Sequence, residues 1–197
     1  MRRIIYVAGF VLALATPAAA QQARTFTPSH LAAARDYLGA VQNEQMGMAA
    51  AEAVLDQRLR VNPEMAPFRE TILAWTRDLF TGPEAQTALT ELQAETFTEA
   101  DLRALTTFWS APLGQRYLRA QPALREGGIP ALRARGFTEA ELRRLAAFFA
   151  TPLGQRYASR SPVVQRRAHE LGQQLVNARR AELAARIDSM LSAQPAP

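Results

Sequence analysis

Residues 97–117 read FTEADLRALTTFWSAPLGQRY, and residues 137–157 read FTEAELRRLAAFFATPLGQRY. Extended to residues 97–122 and 137–162, the two copies are identical at 15 of 26 positions. The repeated residues either form a functional site or define the fold. Their order favours a role in the fold, because each copy contains the start, the end and the packing positions of a helix.

Each copy opens with a signal for the start of a helix. Thr98 and Thr138 suit the N-cap position, since a hydroxyl accepts a hydrogen bond from a free backbone N–H. Three residues later, Glu141 completes a capping box and Asp101 provides a shorter version of it. A hydrophobic staple accompanies both starts and pairs Phe97 with Leu102 and Phe137 with Leu142.

An amphipathic helix that ends in a sharp corner follows in both copies. Its apolar face carries Leu102, Leu105, Phe108 and Trp109 in the first copy and Leu142, Leu145, Phe148 and Phe149 in the second. Pro112 and Pro152 end this helix and suit the first position of the next one. Gly114 and Gly154 are expected to allow close packing against the aromatic pair. The sequence therefore predicts the same unit twice: helix, proline corner, helix.

The pairs Gln115-Arg116 and Gln155-Arg156 are not required by a helix corner. The simpler interpretation is that these arginines pair with acids at the N-terminus of the other copy's helix. The alternative is that the Gln-Arg pairs form two related contacts with an anion or a partner. The sequence leaves both interpretations open.

The rest of the chain predicts more helices and no strand. Residues 26–31 resemble a degenerate third helix start without the corner, and Gly127–Pro130 is predicted to separate the copies. Apolar residues recur at helical spacing in residues 28–40, 44–60, 68–79, 84–95 and 163–191. Two copies are too few for a solenoid, which needs about three. We therefore predict an all-α fold, a compact helical bundle that contains the two corner units.

The N-terminus has the pattern of a secretory signal peptide. Arg2 and Arg3 precede an apolar stretch at residues 4–15, and Ala18-Ala19-Ala20 provides a cleavage site after Ala20. We expect a signal peptide at 1–20, a flexible N-terminus at 21–27, one helical domain at 28–192 and a disordered tail at 193–197. The chain is then periplasmic or secreted, with no transmembrane span after cleavage. An uncleaved N-terminal anchor is the alternative.

Charge is distributed unevenly along the chain. Residues 21–101 contain 6 arginines and 12 acidic residues, net −6, whereas residues 102–197 contain 15 arginines and 6 acidic residues, net +9. The two halves are expected to attract each other, or the basic half faces an anionic envelope surface. Nucleic acid is not an expected partner of an exported chain. The chain has no cysteine, so the core must hold the fold without disulfides.

Few residues suit catalysis. There is no Gly-x-Ser-x-Gly elbow, and the sequence HELGQ that begins at His169 has Gln173 where a zinc helix needs a second histidine. Glu91 and Glu95 suit acid chemistry on a glycan, or they belong to a solvated helix face. We predict no catalytic, metal-binding or cofactor-binding residues, and no cofactor.

The two copies resemble the signature of a bacterial secreted family, the domain of unknown function 2059. That pattern has Phe-Thr, acids, an apolar helix, Phe-Tyr and Ser-Pro-x-Gly-Gln, and NPEMAPFRE at residues 62–70 is similar to the stretch before it. The resemblance covers most of residues 28–160. Trp109 and Phe149 replace the usual Tyr, and Ala111 and Thr151 replace the usual Ser, so no role of those hydroxyls carries over. The resemblance implies an all-helical envelope protein with no known activity.

The sequence favours a noncatalytic helical binding or scaffold module of the cell envelope. It does not identify the partner, for which another envelope protein and an anionic envelope surface both stay open. One alternative is an enzyme that acts on envelope glycan through a Glu general acid. The other is a peripheral protein held on anionic membrane by its arginine-rich half. The ligand, the oligomeric state and the presence of any catalysis are left open.

Overall fold

The computed structural model of the protein describes residues 25–192, with all side chains in that range but those of residues 122, 123, 125 and 126. The predicted signal peptide, residues 21–24 and the predicted tail lie outside these residues. The described chain forms α helices, one short 3-10 helix and no strand, which confirms the all-α prediction. The α helices are α1 Pro28–Ala40, α2 Asn43–Val61, α3 Arg69–Thr81, α4 Pro83–Thr96, α5 Glu99–Ser110, α6 Pro112–Ala134, α7 Glu139–Ala150, α8 Pro152–Ala178 and α9 Arg180–Ser192. The 3-10 helix is Pro63–Phe68.

The local sequence sets where the repeated helices begin. The Thr138 hydroxyl accepts the backbone N–H of Glu141 at 3.2 Å, and the Glu141 carboxylate accepts the backbone N–H of Thr138 at 2.8 Å. Thr151 caps α8 in the same way, through the N–H of Gly154 at 3.0 Å. Ala111, at the corresponding place before α6, makes no side-chain cap.

Both proline corners bring two helices into backbone contact through a glycine. A Cβ atom added to Gly114 would lie 2.3 Å from the carbonyl oxygen of Phe108. A Cβ atom added to Gly154 would lie 2.1 Å from the carbonyl oxygen of Phe148. Both distances are far inside van der Waals contact, so the helices approach this closely only at glycine.

The C-terminal part differs from the sequence prediction in two places. Pro162 does not begin a new helix but lies inside α8, where the Ser161 hydroxyl donates to the Tyr157 carbonyl oxygen at 2.7 Å. A proline removes one helical hydrogen bond, and the surrounding contacts of α8 keep the helix continuous. The helix expected to reach Leu191 is divided at Arg179 into α8 and α9. This break lets α9 turn back against α3, with Leu183 packed on the buried Trp75 cluster.

The core consists of three apolar clusters between the helices. In the largest, α1 packs along α5 and against α4. A second cluster joins α3, α4 and α8, and a third joins α6 to α7. Among the described residues, no helix has both the length and the apolar composition that a bilayer crossing needs.

Candidate partner-binding surface

The two repeats pack against each other through their aromatic side chains. Phe108 and Phe148 stack at the centre, with ring centroids 3.6 Å apart and planes inclined by 10°. Equivalent aromatic pairs flank this stack, with centroids 5.1 Å apart for Trp109 with Tyr157 and 5.8 Å apart for Phe149 with Tyr117. Exchanging the two repeats converts one flanking pair into the other, so an approximate twofold axis passes through the central stack.

Two arginine ion pairs follow the same symmetry. Arg116 of the first repeat donates to Glu141 at 2.6 Å, and Arg156 of the second repeat donates to Asp101 at 2.6 Å. Both acids lie in the first turn of the opposite repeat's helix. The arginines thus make the pairing that the simpler interpretation of the sequence expected. Their alternative role in contacting an anion or a partner stays a prediction.

Hydrogen bonds keep both carboxylates charged. Burial acts to raise the pKa of Asp101, but hydrogen bonds from Arg156 and Thr98 hold it below its ordinary value. The hydrogen bond from the Thr138 backbone lowers the pKa of Glu141. A general acid needs the opposite shift, because it must hold a proton near neutral pH. These carboxylates are therefore structural partners of the arginines.

Gln115 and Gln155 occupy equivalent positions in unequal surroundings. The Gln115 amide donates to the Ala40 carbonyl oxygen at 2.6 Å and accepts a hydrogen bond from Gln42. Gln155 is exposed, and its amide donates to the carbonyl oxygen of Ala150, the last residue of α7, at 3.3 Å. The difference arises because the end of α1 covers the first repeat, and no described helix occupies the corresponding place on the second.

This asymmetry extends along the face of α5 that packs against α1. The residues of that face that are buried or half-buried are Glu99, Leu102, Thr106 and Trp109. Their counterparts on α7 are each more exposed, namely Glu139, Leu142, Ala146 and Phe149. We call Glu139, Leu142, Ala146, Phe149 and Gln155 the open strip.

The exposed fractions show the size of the difference. Leu102 and Trp109 are each 0% exposed, whereas Leu142 and Phe149 are only half-buried. The exposed fraction of the glutamate side chain rises from 34% at Glu99 to 60% at Glu139. The second repeat therefore leaves partly exposed an apolar face that the first repeat buries completely.

A positive charge flanks the open strip. On α5, Arg103 pairs with Glu99 at 2.8 Å. On α7, the corresponding glutamate, Glu139, pairs instead with Arg133 of α6 at 2.7 Å. Arg143, the counterpart of Arg103, is exposed and makes no close ion pair among the described side chains. The hydrogen bond from Arg133 lowers the pKa of Glu139, and the charge of Arg143 adds to that effect.

Glu91 and Glu95, the residues that the sequence offers for general-acid chemistry, lie away from the open strip, beside a groove between α4 and α8. The groove has a volume of about 300 Å³ and is lined by both Glu91 and Glu95, with Glu170 across from them on α8. Glu95 already accepts a hydrogen bond from Arg167 at 2.8 Å.

The two histidines make separate local contacts. His30 Nε2 lies 2.9 Å from the carbonyl oxygen of Phe97, and exposed His169 lies 2.9 Å from the amide of Gln173. Among the side chains that the structure describes, no three His, Asp or Glu residues are grouped as a metal site would group them.

The helical spacing predicted Leu142 and Phe149 on an apolar helix face and gave no signal for Ala146 or for the covering role of α1. A different signal was present in the chain. The degenerate helix start at residues 26–31 occurs once, whereas the corner unit occurs twice. A single covering helix for two equivalent faces leaves one of them open.

Comparison with known proteins finds one family. The model for a family described as "Uncharacterized protein conserved in bacteria (DUF2059)" matches residues 84–136 and again residues 131–181. The first match spans α4, α5 and α6, and the second spans the end of α6, α7 and α8. No curated protein and no solved structure matches.

Proposed function

The chain belongs to the DUF2059 family of bacterial proteins and contains the family unit twice, and on this premise we propose that it is a noncatalytic helical binding module of the bacterial cell envelope. The open strip on the second unit is its binding surface. Placement in the envelope is supported by the signal-peptide pattern of residues 1–20.

One observation carries this proposal: of two equivalent faces in one chain, α1 covers one and the other is open. On the covered face, Leu102 and Trp109 are completely buried against a helix. On the open face the corresponding Leu142 and Phe149 pack on the core and are only half-buried, and the exposed Arg143 flanks them. An apolar patch with a charged rim is the surface composition that protein interfaces use.

Photo-crosslinking in living cells tests the proposal. A photoreactive amino acid is placed at Ala146, in the open strip, or at Ala147, which is also exposed on α7 but points away from the strip. We expect an adduct with one envelope protein, identified by mass spectrometry, from position 146 and not from position 147. Equal adducts from both positions, or recovery of the protein from the cytoplasmic fraction alone, would contradict the proposal.

A second candidate is an enzyme that acts on envelope glycan, favoured by the groove that contains Glu91 and Glu95. Incubation of the purified protein with peptidoglycan, followed by chromatography of released fragments, tests it. Release that Glu91→Gln or Glu95→Gln abolishes would establish the enzyme. Glu84→Gln, an exposed position at the start of the same helix, is the matched control.

A further inference from the structure

We propose that the open strip receives an acidic amphipathic helix of a partner protein, bound as α1 is bound to the first repeat. This inference rests on the proposed function and adds the chemistry of the partner. It follows from the duplication, because the first repeat shows what kind of element such a face accepts.

The helix that covers the first repeat presents small residues and a hydroxyl. Ala33 and Ala34 are 2% and 0% exposed, so α1 and α5 approach each other closely. Tyr37, one turn later, is buried in the same cluster. At the start of α1, the Ser29 hydroxyl donates to Glu99 at 2.8 Å.

The second repeat has groups that correspond to those that hold α1. Glu139 corresponds to the acceptor Glu99, and Leu142 and Phe149 correspond to the apolar residues that α1 buries. Gln155 corresponds to Gln115, whose amide binds the carbonyl oxygen at the end of α1. In the first repeat, the contacts with α1 extend from Ser29 near its start to Ala40 at its end, and α1 has 13 residues. The partner helix therefore needs about three to four turns, with small residues at its centre.

Charge distinguishes a partner helix from a second copy of this chain. Two copies that met strip to strip would bring Arg143 of each close together, and like charges oppose that contact. Arg133, paired with Glu139 at 2.7 Å, and Arg143, whose charge also acts on Glu139, share that one carboxylate, and the half of the sequence that contains them, residues 102–197, has a net charge of +9. An acidic helix supplies the missing counter-charge.

A fluorescent peptide that copies residues 26–42 of this chain is the probe, prepared unmodified and with Arg35→Glu. Its anisotropy is measured as purified protein is added. We expect saturable binding of both peptides, severalfold tighter for the Arg35→Glu peptide. The advantage of the acidic peptide should shrink in high salt and in the protein variant Arg143→Gln.

The variants Ala146→Glu and Ala147→Glu are a matched pair. They add the same charge and bulk to exposed positions of one helix, and only position 146 lies in the strip. We expect Ala146→Glu to weaken peptide binding at least tenfold and Ala147→Glu to leave it unchanged, with equal circular dichroism at 222 nm for both.

Three results would overturn the inference: no binding of either peptide, equal binding to the two glutamate variants, or tighter binding of the unmodified peptide. A dimer seen by sedimentation that Ala146→Glu disrupts would assign the strip to a second copy and also overturn it. If neither peptide binds but position 146 still gives a specific crosslink, the proposal of a helical partner is rejected. The proposal that the protein is a binding module is then retained.

Discussion

Arg116 and Arg156 each hold the first turn of the opposite repeat's helix. Their side chains are 37% and 42% exposed, so solvent screens the attraction to the paired acids. The pairs therefore contribute mainly to the relative orientation of the two repeats. Burial of the aromatic side chains between the repeats stabilises their contact.

Substitution of Gly154 tests the close approach of α7 and α8 at the second corner. We expect Gly154→Ala to lower the free energy of unfolding by about 2–3 kcal/mol, because the added Cβ meets the Phe148 carbonyl oxygen. The midpoint of thermal unfolding, followed by circular dichroism at 222 nm, should fall by about 4–12 °C.

Gly172→Ala in the same helix is the control. A Cβ atom at Gly172 meets nothing within 4 Å, so this change should leave stability unchanged or raise it by up to about 1 kcal/mol. Equal melting of the two variants would show that the corner does not need glycine.

Among the helices, α6 belongs to both repeats. The first part of α6 follows the Pro112 corner and completes the first repeat. The last turns of α6 lead into the second repeat, in the same way that α4 leads into the first. Gly128 divides these parts with φ +60° and ψ −150°, a conformation that is almost restricted to glycine. The predicted separator at Gly127–Pro130 is therefore a kink inside α6, after which the helix resumes to Ala134.

Gly128→Ala should destabilise the protein by about 1–3 kcal/mol, because alanine is strained at this backbone conformation. Urea unfolding measures the change, and Gly47→Ala, at an unobstructed position of α2, is the control. Wild-type stability in Gly128→Ala would mean that the kink is not needed to place the second repeat.

The helix starts and the proline corners followed from the sequence because caps, prolines and glycines act on neighbours a few residues away. The continuity of α8 through Pro162 and the break at Arg179 did not follow. Both depend on what α8 and α9 contact in other parts of the chain, such as the Trp75 cluster on which Leu183 packs.

In the whole molecule, ion pairs connect the acidic and basic parts of the sequence. They join Asp101 to Arg156, Glu95 to Arg167 and Asp78 to Arg186, at distances from 2.6 to 3.0 Å. The expected attraction between the acidic and basic halves is therefore present. Other arginines, such as Arg143, are exposed on the surface.

Buried Tyr37 and half-buried Tyr117 and Tyr157 couple stability to alkaline pH. Burial raises the pKa of Tyr37, Tyr117 and Tyr157 above the ordinary value of 10.0. The native state holds these phenolic protons more tightly than the unfolded state does. This stability is therefore present below pH 10 and is lost as pH rises through the raised pKa values.

We expect tyrosinate absorbance at 295 nm to appear above pH 10 together with loss of helical circular dichroism. In Tyr157→Phe the absorbance change should be smaller. Ionisation of all the tyrosines near pH 10 with helicity intact would show that they are not buried.

The all-α class, the helix starts, the two corners and the arginine partners at the opposite helix ends all followed from the amino-acid sequence. They rest on helical periodicity and on caps, prolines and glycines, which act over a few residues and recur in both copies. The unequal covering of the two copies did not follow from the sequence and is a result of the fold. Both copies encode the same helix and corner, and the difference in exposure arises from the position of α1, which is distant in sequence and packs along the first copy.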